Sequence, residues 1–341
     1  MEVVAPTTVS PADVALAALR SAREVVACDG AALMVLDPAT HLPFTGAVDE
    51  MPQESCHPFF AFELGDHPRT FRRMALDRSP ADRIHADDAP EDPLVATMLV
   101  PHGFAAEIRA VCRDAQAAWG GITLVRRPGA RPFTPVDQDR IDRFAAGVGK
   151  RLRAAVVGSL ERPGGGPVPT LAAGSLGVLV VEHGTVVEVS PEVTEVLREL
   201  GHPTPDEYRH LDLLRALARD EAPFTTVLRT PLGWLTAHGT PLSEGRVAIA
   251  LSAAGPERLL GTRVVAAGLS AREVEVTRLL CRGLTDREIA RELGVSEHTA
   301  HDHVRSVRGK LGVRSRAEVS ATIFAERYFE EFLGTAAVTH A

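Results

Sequence analysis

The sequence predicts a multi-domain chain in which two α+β domains are followed by an all-α domain of four short helices. Three observations lead to this fold class. Runs of β-branched residues alternate with helical patterns through the first three quarters of the 341 residues, which is typical of α+β domains. A stretch rich in glycine and proline, ERPGGGPVPT at 161–170, has the composition of a linker. Beyond a softer boundary at 252–263, helix start and stop signals follow one another closely.

Composition indicates a cytoplasmic globular protein with no membrane segment. Hydrophobic residues make up 45% of the chain and charged residues 24%, which is ordinary for a globular protein. No apolar run approaches the roughly 18 residues of a membrane span, and the N-terminus lacks the basic segment of a secretion signal. The cysteines lack CxxC spacing, so we expect reduced thiols and no metal site. The net charge of −8 still permits nucleic-acid binding, which needs only a local basic face.

The first domain is predicted over residues 10–160. Ser10, with Pro11 and Asp13 behind it, begins a helix that continues to about Val26. Strands are expected at 31–36 and near 44–48, then long loops or short helices over 50–92, and another strand after 120. A long helix begins at Thr134, and its apolar stripe is expected to pack on a sheet or on a partner chain. That stripe comprises Ile141, Phe144, Ala145, Val148, Leu152, Ala155 and Val156.

The segment WGGITLVRRPGARPFTPVDQDRIDRFAAGVGKRL at 119–152 resembles a GAF domain. The resemblance implies a sensor that binds a small molecule or a dimerising signal relay. The sequence has no cyclic-nucleotide, haem or bilin signature, so we predict no cofactor and leave any small-molecule ligand unidentified.

A second α+β domain is predicted over 171–255, after the 161–170 linker. Two β-branched runs flank His183-Gly184, which indicates a hairpin, and Ser190-Pro191 begins a helix. Further strands are expected at 225–229, 233–238 and 246–251. This order resembles a small PAS domain, although Ser190 stands where many PAS domains carry asparagine.

The C-terminal domain, predicted over 262–334, is defined by its helix ends. Ser or Thr followed three residues later by Glu is a capping box, and glycine suits a helix C-terminus. The boxes are Ser270/Glu273, Thr285/Glu288 and Ser315/Glu318, and the glycines are Gly283 and Gly294. They predict helices at about 271–282, 286–293, 297–311 and 316–333. The joint between the second and third helices is only three residues long, 294–296, which is the spacing of a helix-turn-helix.

The third of these helices has two different faces. Its apolar positions are expected to pack on the second helix, at Ile289, Ala290 and Leu293; they are Ala300, Val304, Val307 and Leu311. Hydrogen-bonding side chains on the other side suit the major groove of DNA; they are His298, His301, Asp302, Arg305 and Arg308. Three further cations just beyond could meet phosphates; they are Lys310, Arg314 and Arg316. Residues 301–316 carry five basic side chains against one acid, a local charge of about +4 in an acidic chain.

Residues 269–318 resemble the DNA-binding domain of the LuxR family of bacterial regulators. The matching elements are Leu-Ser-x-Arg-Glu, Gly-Leu-Thr followed by Glu-Ile-Ala, Val-Ser-x-x-Thr, and Lys-Leu-Gly-Val followed by Ser-Arg. The resemblance implies that Glu273 and Arg316 support the fold and that the third helix faces DNA through Thr299, His301, Asp302 and Arg305. It also implies subunit pairing by the fourth helix, where three aromatic residues form part of a dimer face or of an ordinary core: Phe324, Tyr328 and Phe332. Ala300-His301 departs from the usual Val-Lys, which suggests an altered base preference or weaker binding by one domain.

These observations predict a transcription regulator that binds double-stranded DNA, most simply as a homodimer, with sensing upstream. The predicted DNA-binding residues are Thr299, His301, Asp302, Arg305, Arg308, Lys310 and Arg314. The alternative is a sensor or scaffold whose C-terminal helices bind a protein such as RNA polymerase. No enzyme is expected, because Gly149-Lys150 lies in a helical pattern without the spacing of a phosphate-binding loop, and no Gly-x-Ser-x-Gly occurs.

Overall fold

The computed structural model describes residues 9–114, 117–161, 177–199, 209–219, 222–230, 233–243, 245–254, 265 and 267–321. The chain divides into two compact units, Met1–Ala254 and Gly255–Ala341. The boundary between them lies within the predicted boundary stretch, 252–263. Most of the predicted linker, 162–170, lies outside the described residues, as do Phe324, Tyr328 and Phe332.

The first unit begins with a five-stranded antiparallel sheet and its helices. In chain order they are α1 (Pro11–Val25), β1 (Gly30–Leu36), β2 (Pro43–Asp49), α2 (Cys56–Glu63), α3 (Phe71–Leu76), β3 (Asp82–His85), β4 (Ala106–Asp114), β5 (Ala117–Arg126) and α4 (Pro135–Glu161). The strands lie in the order β2-β1-β5-β4-β3. Helices α1 and α4 pack on one face of this sheet, and α2, α3 and the turns around 95–102 cover the other.

The two predicted helices of this domain are confirmed, with their caps. Ser10 and Asp13 form a capping box at α1, and the Thr134 hydroxyl accepts a hydrogen bond from the backbone N–H of Asp137 at the start of α4. The apolar stripe of α4 faces the sheet rather than a partner chain, since Ile141 and Leu152 are fully buried. An added Cβ at Gly120 would lie 2.7 Å from the Leu152 side chain, so strand and helix are in close contact there.

A charged cluster lies buried between the sheet and α2. Arg109 of β4 is 1% exposed and donates to Glu63 Oε1 at 2.9 Å and to Glu107 Oε1 at 2.7 Å. The backbone N–H of Phe71 donates to Glu63 Oε2 at 2.7 Å, and Thr123 donates to Glu107. Burial raises the pKa of Glu63 to about 7, although Arg109 and the Phe71 N–H oppose the shift. Two carboxylates thus share one buried guanidinium.

A second five-stranded antiparallel sheet follows within the same unit. Its elements are β6 (Gly177–Glu182), β7 (Thr185–Val189), α5 (Pro191–Glu199), α6 (Arg209–Ala218), β8 (Phe224–Thr230), β9 (Gly233–Ser243) and β10 (Arg246–Ala253). The strand order is β7-β6-β10-β9-β8. Counted from its own first strand, each sheet therefore has the order 2-1-5-4-3. Helices α5 and α6 share one apolar core with this sheet.

The predicted hairpin and the helix after it are confirmed in this second sheet. His183 and Gly184 have φ angles of 48° and 78°, the left-handed pair that a two-residue hairpin requires. The Ser190 hydroxyl, just before α5, accepts a hydrogen bond from the Val178 N–H at 3.1 Å. The two sheets also touch, because the rings of Phe44 on β2 and Trp234 on β9 lie 5.0 Å apart.

The second unit is helical in its described part. Its helices are α7 (Ala271–Cys281), α8 (Asp286–Leu293) and α9 (Glu297–Leu311), followed by helical residues 316–321. The predicted bounds of α8 and α9 match those observed, and α7 ends one residue early. The remainder of the predicted fourth helix, to 333, lies outside the described residues.

Among the described strands and α-helices of the first unit, β3, β4 and α6 were not predicted. Long loops or short helices were predicted over residues 50–92. This segment contains the short helices α2 and α3, but also strand β3. Strand β4 is hidden in the sequence by Glu107 and Arg109, whose charges pair inside the core and so remove the apolar alternation of a half-buried strand.

Candidate nucleic-acid interface and apolar cavity

Capping side chains fix the start of each C-terminal helix. At α7 the Glu273 carboxylate accepts from the Ser270 N–H at 2.6 Å, and at α8 Glu288 accepts from the Thr285 N–H at 2.8 Å. Both predicted capping boxes are therefore confirmed. The third differs in detail, because Glu318 accepts from the N–H of Arg314 at 2.8 Å. Local hydrogen bonds thus determine where the helices start.

The joint between α8 and α9 is tight. Gly294 ends α8 with a φ of 64°, a left-handed conformation that costs a residue with a Cβ roughly 1–2 kcal/mol. Ser296 then caps α9, because its hydroxyl accepts from the Thr299 N–H at 3.1 Å. Ser296 was not predicted as a cap, although a serine directly before a helical pattern is the usual signal.

The apolar side of α9 packs as predicted. Ala300 and Val307 are fully buried and Val304 is 3% exposed. They form one core with Ile289 and Ala290 of α8 and with residues of α7. The polar side of α9 is therefore turned outward by the packing of its opposite side.

That outward side brings together four of the predicted DNA-binding residues. Thr299, His301, Asp302 and Arg305 are all exposed, and they follow one another over two helical turns. The Arg305 guanidinium has no hydrogen-bonding or ionic partner among the described residues. A free guanidinium with five donors lies near the middle of this surface, which we call the α9 face.

Glu273 anchors the far end of α9 to α7. Its carboxylate accepts from Lys310 Nζ and from the Ser306 hydroxyl, both at 2.6 Å. Burial alone would raise the pKa of Glu273, but the hydrogen bonds from Lys310, Ser306 and Ser270 lower it to about 2. These contacts agree with the fold-supporting role expected of Glu273. Lys310 is thus already paired within the domain, and its contact with phosphate stays a prediction.

Asp286, the first residue of α8, joins three parts of the domain. One carboxylate oxygen lies 2.9 Å from Nδ1 of His301 on α9. The other accepts from Arg316, which also donates to the Leu284 carbonyl. Although partial burial opposes ionisation, the hydrogen bonds from His301 and Arg316 hold the pKa of Asp286 below its ordinary value. No local pattern indicates the contact between Asp286 and His301, since the two residues stand fifteen positions apart.

One of the predicted contacts, Arg308, lies differently from the helical projection. Arg308 was placed on the exposed side, but it is half-buried and its guanidinium donates to the Arg314 carbonyl. The α9 backbone turns at Gly312, which has a φ of 68°, and this turn brings the chain back within reach of Arg308. Arg314 itself is exposed. DNA contact by any of the seven predicted residues stays a prediction.

An apolar cavity of about 110 Å³ lies in the first unit. Its wall includes β1 and β2, α2, and Leu213 of α6, so both sheet regions contribute. Among its lining side chains are Phe44, Met51, Cys56, Phe59 and Phe60. It has room for a molecule on the order of benzene in size.

Two other kinds of site are absent from the described residues. No group of three or more His, Cys, Asp or Glu side chains there is arranged to hold a metal ion. No helix in those ranges combines the length and apolar character needed to cross a bilayer.

Comparison with known proteins points to the helical unit. The family model described as bacterial regulatory proteins, luxR family, matches residues 267–323. The spore germination protein GerE of Bacillus subtilis is 44% identical over 50 residues, which are 15% of this chain and 68% of that protein. The nitrate/nitrite response regulator protein NarP of Escherichia coli is 46% identical over 55 residues, 16% of this chain and 25% of NarP. This chain thus spans about a quarter of the length of that response regulator.

The likeness to solved structures is more distant. A GAF domain/HD domain protein from Geobacter sulfurreducens covers 42% of this chain and 92% of its own, at 16% identity and a TM-score of 0.33. The GAF-like and PAS-like assignments stay predictions.

Proposed function

The chain belongs to the LuxR family of bacterial regulatory proteins, and from this premise we propose that it is a sequence-specific DNA-binding transcription regulator. The observation that carries the proposal is the α9 face: exposed Thr299, Asp302 and Arg305 lie opposite the buried Ala300 and Val307. A helix held in this way by a three-residue joint can enter the major groove without disturbing its own core.

The proposed contacts divide into two kinds. Thr299, His301, Asp302 and Arg305 read base edges, and Arg305 in particular can donate two hydrogen bonds to guanine. Exposed Arg314, beyond the end of α9, meets a phosphate and helps to set the register. Arg308 and Lys310 already have partners in the domain, so their predicted contacts with DNA require those partners to be released.

The proposed regulator acts as a homodimer. Two α9 helices related by a twofold axis would enter successive major grooves about 34 Å apart. Native mass spectrometry of the full chain measures subunit number and detects any retained small molecule at the same time. A protein that is monomeric both free and on a two-half-site duplex would contradict this arrangement.

The test begins with DNA selection. The full chain is incubated with random-sequence duplexes, and the enriched duplex is titrated by fluorescence anisotropy. Arg305→Ala should weaken binding roughly 5- to 150-fold, the range of one bidentate base contact. Arg143→Ala is the matched control, because Arg143 is an exposed arginine on α4 in the other unit. Equal affinity of the Arg305→Ala variant and the control would count against the assignment.

Salt separates this proposal from a C-terminal unit that binds a protein such as RNA polymerase. Phosphate contacts release counterions, so DNA affinity falls steeply as salt rises. The same titration at several salt concentrations therefore provides the discrimination. Affinity for DNA that is weak and almost independent of salt would favour the protein-binding alternative.

Sensing is the second part of the proposal, and the cavity supports it. An apolar lining shared by the two sheet regions suits a small apolar effector, whose binding would favour one arrangement of the first unit. Benzene serves as a probe: it should raise the melting temperature of the wild type, reported by Trp234 next to Phe44 of the cavity wall. Ala32→Leu, which places a larger side chain at the lining, should abolish the increase. An equal increase in both proteins would mean that benzene binds elsewhere.

A further inference from the structure

His301 has a fixed hydrogen-bonding partner on only one of its two ring nitrogens. Its side chain is 61% exposed, and Nδ1 lies 2.9 Å from an oxygen of Asp286. No partner for Nε2 is found within the described ranges. On the helix, His301 lies at the edge of the α9 face next to α8, so Nε2 is the nitrogen available to a ligand.

The partner determines which nitrogen carries the proton. Asp286 is ionised at neutral pH, because its two oxygens receive hydrogen bonds from His301 and Arg316 and its pKa lies below the ordinary value. An ionised carboxylate only accepts hydrogen bonds. Nδ1 of His301 must therefore donate, and in the neutral form of the ring Nε2 is unprotonated and acts as an acceptor.

The neighbour of His301 is an acceptor as well. Asp302 is exposed, and Nε2 of His298 lies 3.5 Å from one of its carboxylate oxygens, which is too long for a good hydrogen bond. Arg305, one turn further along, offers donors only. Along the α9 face the order is therefore acceptor, acceptor, donor.

Base edges in the major groove distinguish such an order. Adenine and cytosine present amino donors there, N6 and N4, whereas guanine and thymine present O6 and O4 acceptors. We infer that His301, oriented by Asp286, selects a base whose amino group lies in the major groove, adenine or cytosine, at its position in the operator. This inference rests on the proposed function, and it names a feature of the DNA that the domain prefers.

The first test needs no DNA. The full chain is labelled with ¹⁵N in its histidines, and a long-range ¹H–¹⁵N spectrum reports the protonation of each ring nitrogen. The His301 signal is assigned by its loss in His301→Gln. A protonated Nδ1 with a bare Nε2 is the expected result, and a ring protonated on both nitrogens at neutral pH would contradict it. The opposite tautomer would overturn the inference and leave the proposed function untouched.

The second test uses the enriched duplex. Each adenine or cytosine of a half-site is replaced in turn by the analogue that lacks its amino group. One replacement should weaken wild-type binding by about five-fold or more, the low end of a base contact. The same replacement should change the affinity of His301→Ala by less than about two-fold, because the acceptor is already gone. Equal losses in both proteins would overturn the inference.

Two variants make this result specific. His298→Ala removes the other exposed histidine of α9 and should keep the full penalty for the missing amino group. His301→Lys replaces an acceptor by donors, so a new selection should enrich guanine or thymine at that position. An unchanged preference would show that His301 does not read this base. A wild-type chain that enriches no duplex would instead overturn the proposed function.

Discussion

The buried Glu63 carboxylate predicts an unusual pH dependence of stability. Its pKa is raised from about 4.5 to about 7 because burial disfavours its charge. The folded state therefore binds a proton that the unfolded state has released between these values. The stability from this group is full below pH 4.5 and is lost as the pH rises through 7. Most carboxylates of folded proteins, which form ion pairs near the surface, act in the opposite direction.

The size of the effect follows from the shift. About 2.5 pKa units correspond to roughly 3 kcal/mol in total, of which some 2–3 kcal/mol lie between pH 5 and pH 8. Histidines also titrate in this range. Burial lowers the pKa of His41 and of His57, so both oppose the trend. The contribution of Glu63 is therefore measured as a difference between the wild type and Glu63→Gln, which keeps the shape of the side chain without its charge.

Both tryptophans report on the unit that contains Glu63. Trp119 and Trp234 lie in the first unit, so urea unfolding followed by their fluorescence measures its stability. Between pH 5 and pH 8 the wild type should lose roughly 2–3 kcal/mol more than Glu63→Gln. Exposed Glu54→Gln is the matched control and should behave like the wild type. Parallel pH profiles of all three proteins would refute the assignment of a raised pKa to Glu63.

Three further predictions concern the C-terminal unit and use hydrogen exchange of the α9 amides in the full chain. Glu273→Gln should destabilise α9 by roughly 2 kcal/mol at pH 7. Since the pKa of Glu273 is about 2, the contribution of its carboxylate to stability is lost as the pH falls from 4.5 towards 2. A difference in stability between the wild type and Glu273→Gln that persists at pH 2 would contradict this. Gly294→Ala should lower the stability of the unit by about 1 kcal/mol, because Gly294 has a positive φ. Gly309→Ala, inside α9, should instead raise the stability by up to about 1 kcal/mol. Changes of the same sign in both variants would argue against the backbone explanation. Val307→Ala should cost about 2 kcal/mol, because the side chain is fully buried, and a loss below about 0.5 kcal/mol would mean that α9 is loosely packed.

The helices of the second unit could be located from sequence because their ends are determined locally. Each start depends on a hydroxyl and a carboxylate three residues apart, as at Ser270 and Glu273. Each stop depends on a single glycine, as at Gly294. Such signals need no knowledge of distant parts of the chain. The same holds for the hairpin at His183-Gly184 in the first unit.

The remainder depends on contacts between distant residues. Strand β4 reads as polar in sequence because Arg109 meets Glu63, which stands 46 positions earlier. In the candidate site, the polar and apolar sides of α9 follow from helical periodicity, but the ring partner of His301 does not. Lys310 is likewise paired with Glu273, 37 positions away. A count of charges along the sequence cannot show which of them are already neutralised.

This last point changes what the basic segment can do. Of the charge of about +4 over 301–316, Lys310 is matched by Glu273 and Arg316 by Asp286. Exposed Arg305 and Arg314 remain available to contact DNA. One domain can therefore contact only a few phosphates through this segment, which makes binding by a pair of domains more necessary. Counterion release provides the measurement, because the slope of log affinity against log salt changes by roughly 0.9 for each phosphate contact.

Arg314→Ala should therefore make the slope shallower by roughly 0.9 for each bound domain. Lys310→Ala should leave the slope nearly unchanged, because the Lys310 ammonium already pairs with the Glu273 carboxylate. The same variant should instead speed hydrogen exchange of the α9 amides. Two variants that each remove one positive charge from the same short segment would then differ in kind: one would weaken the electrostatic attraction to DNA and the other the fold. Equal changes of slope would show that Lys310 leaves Glu273 to contact DNA, and the division into structural and DNA-facing cations would be wrong.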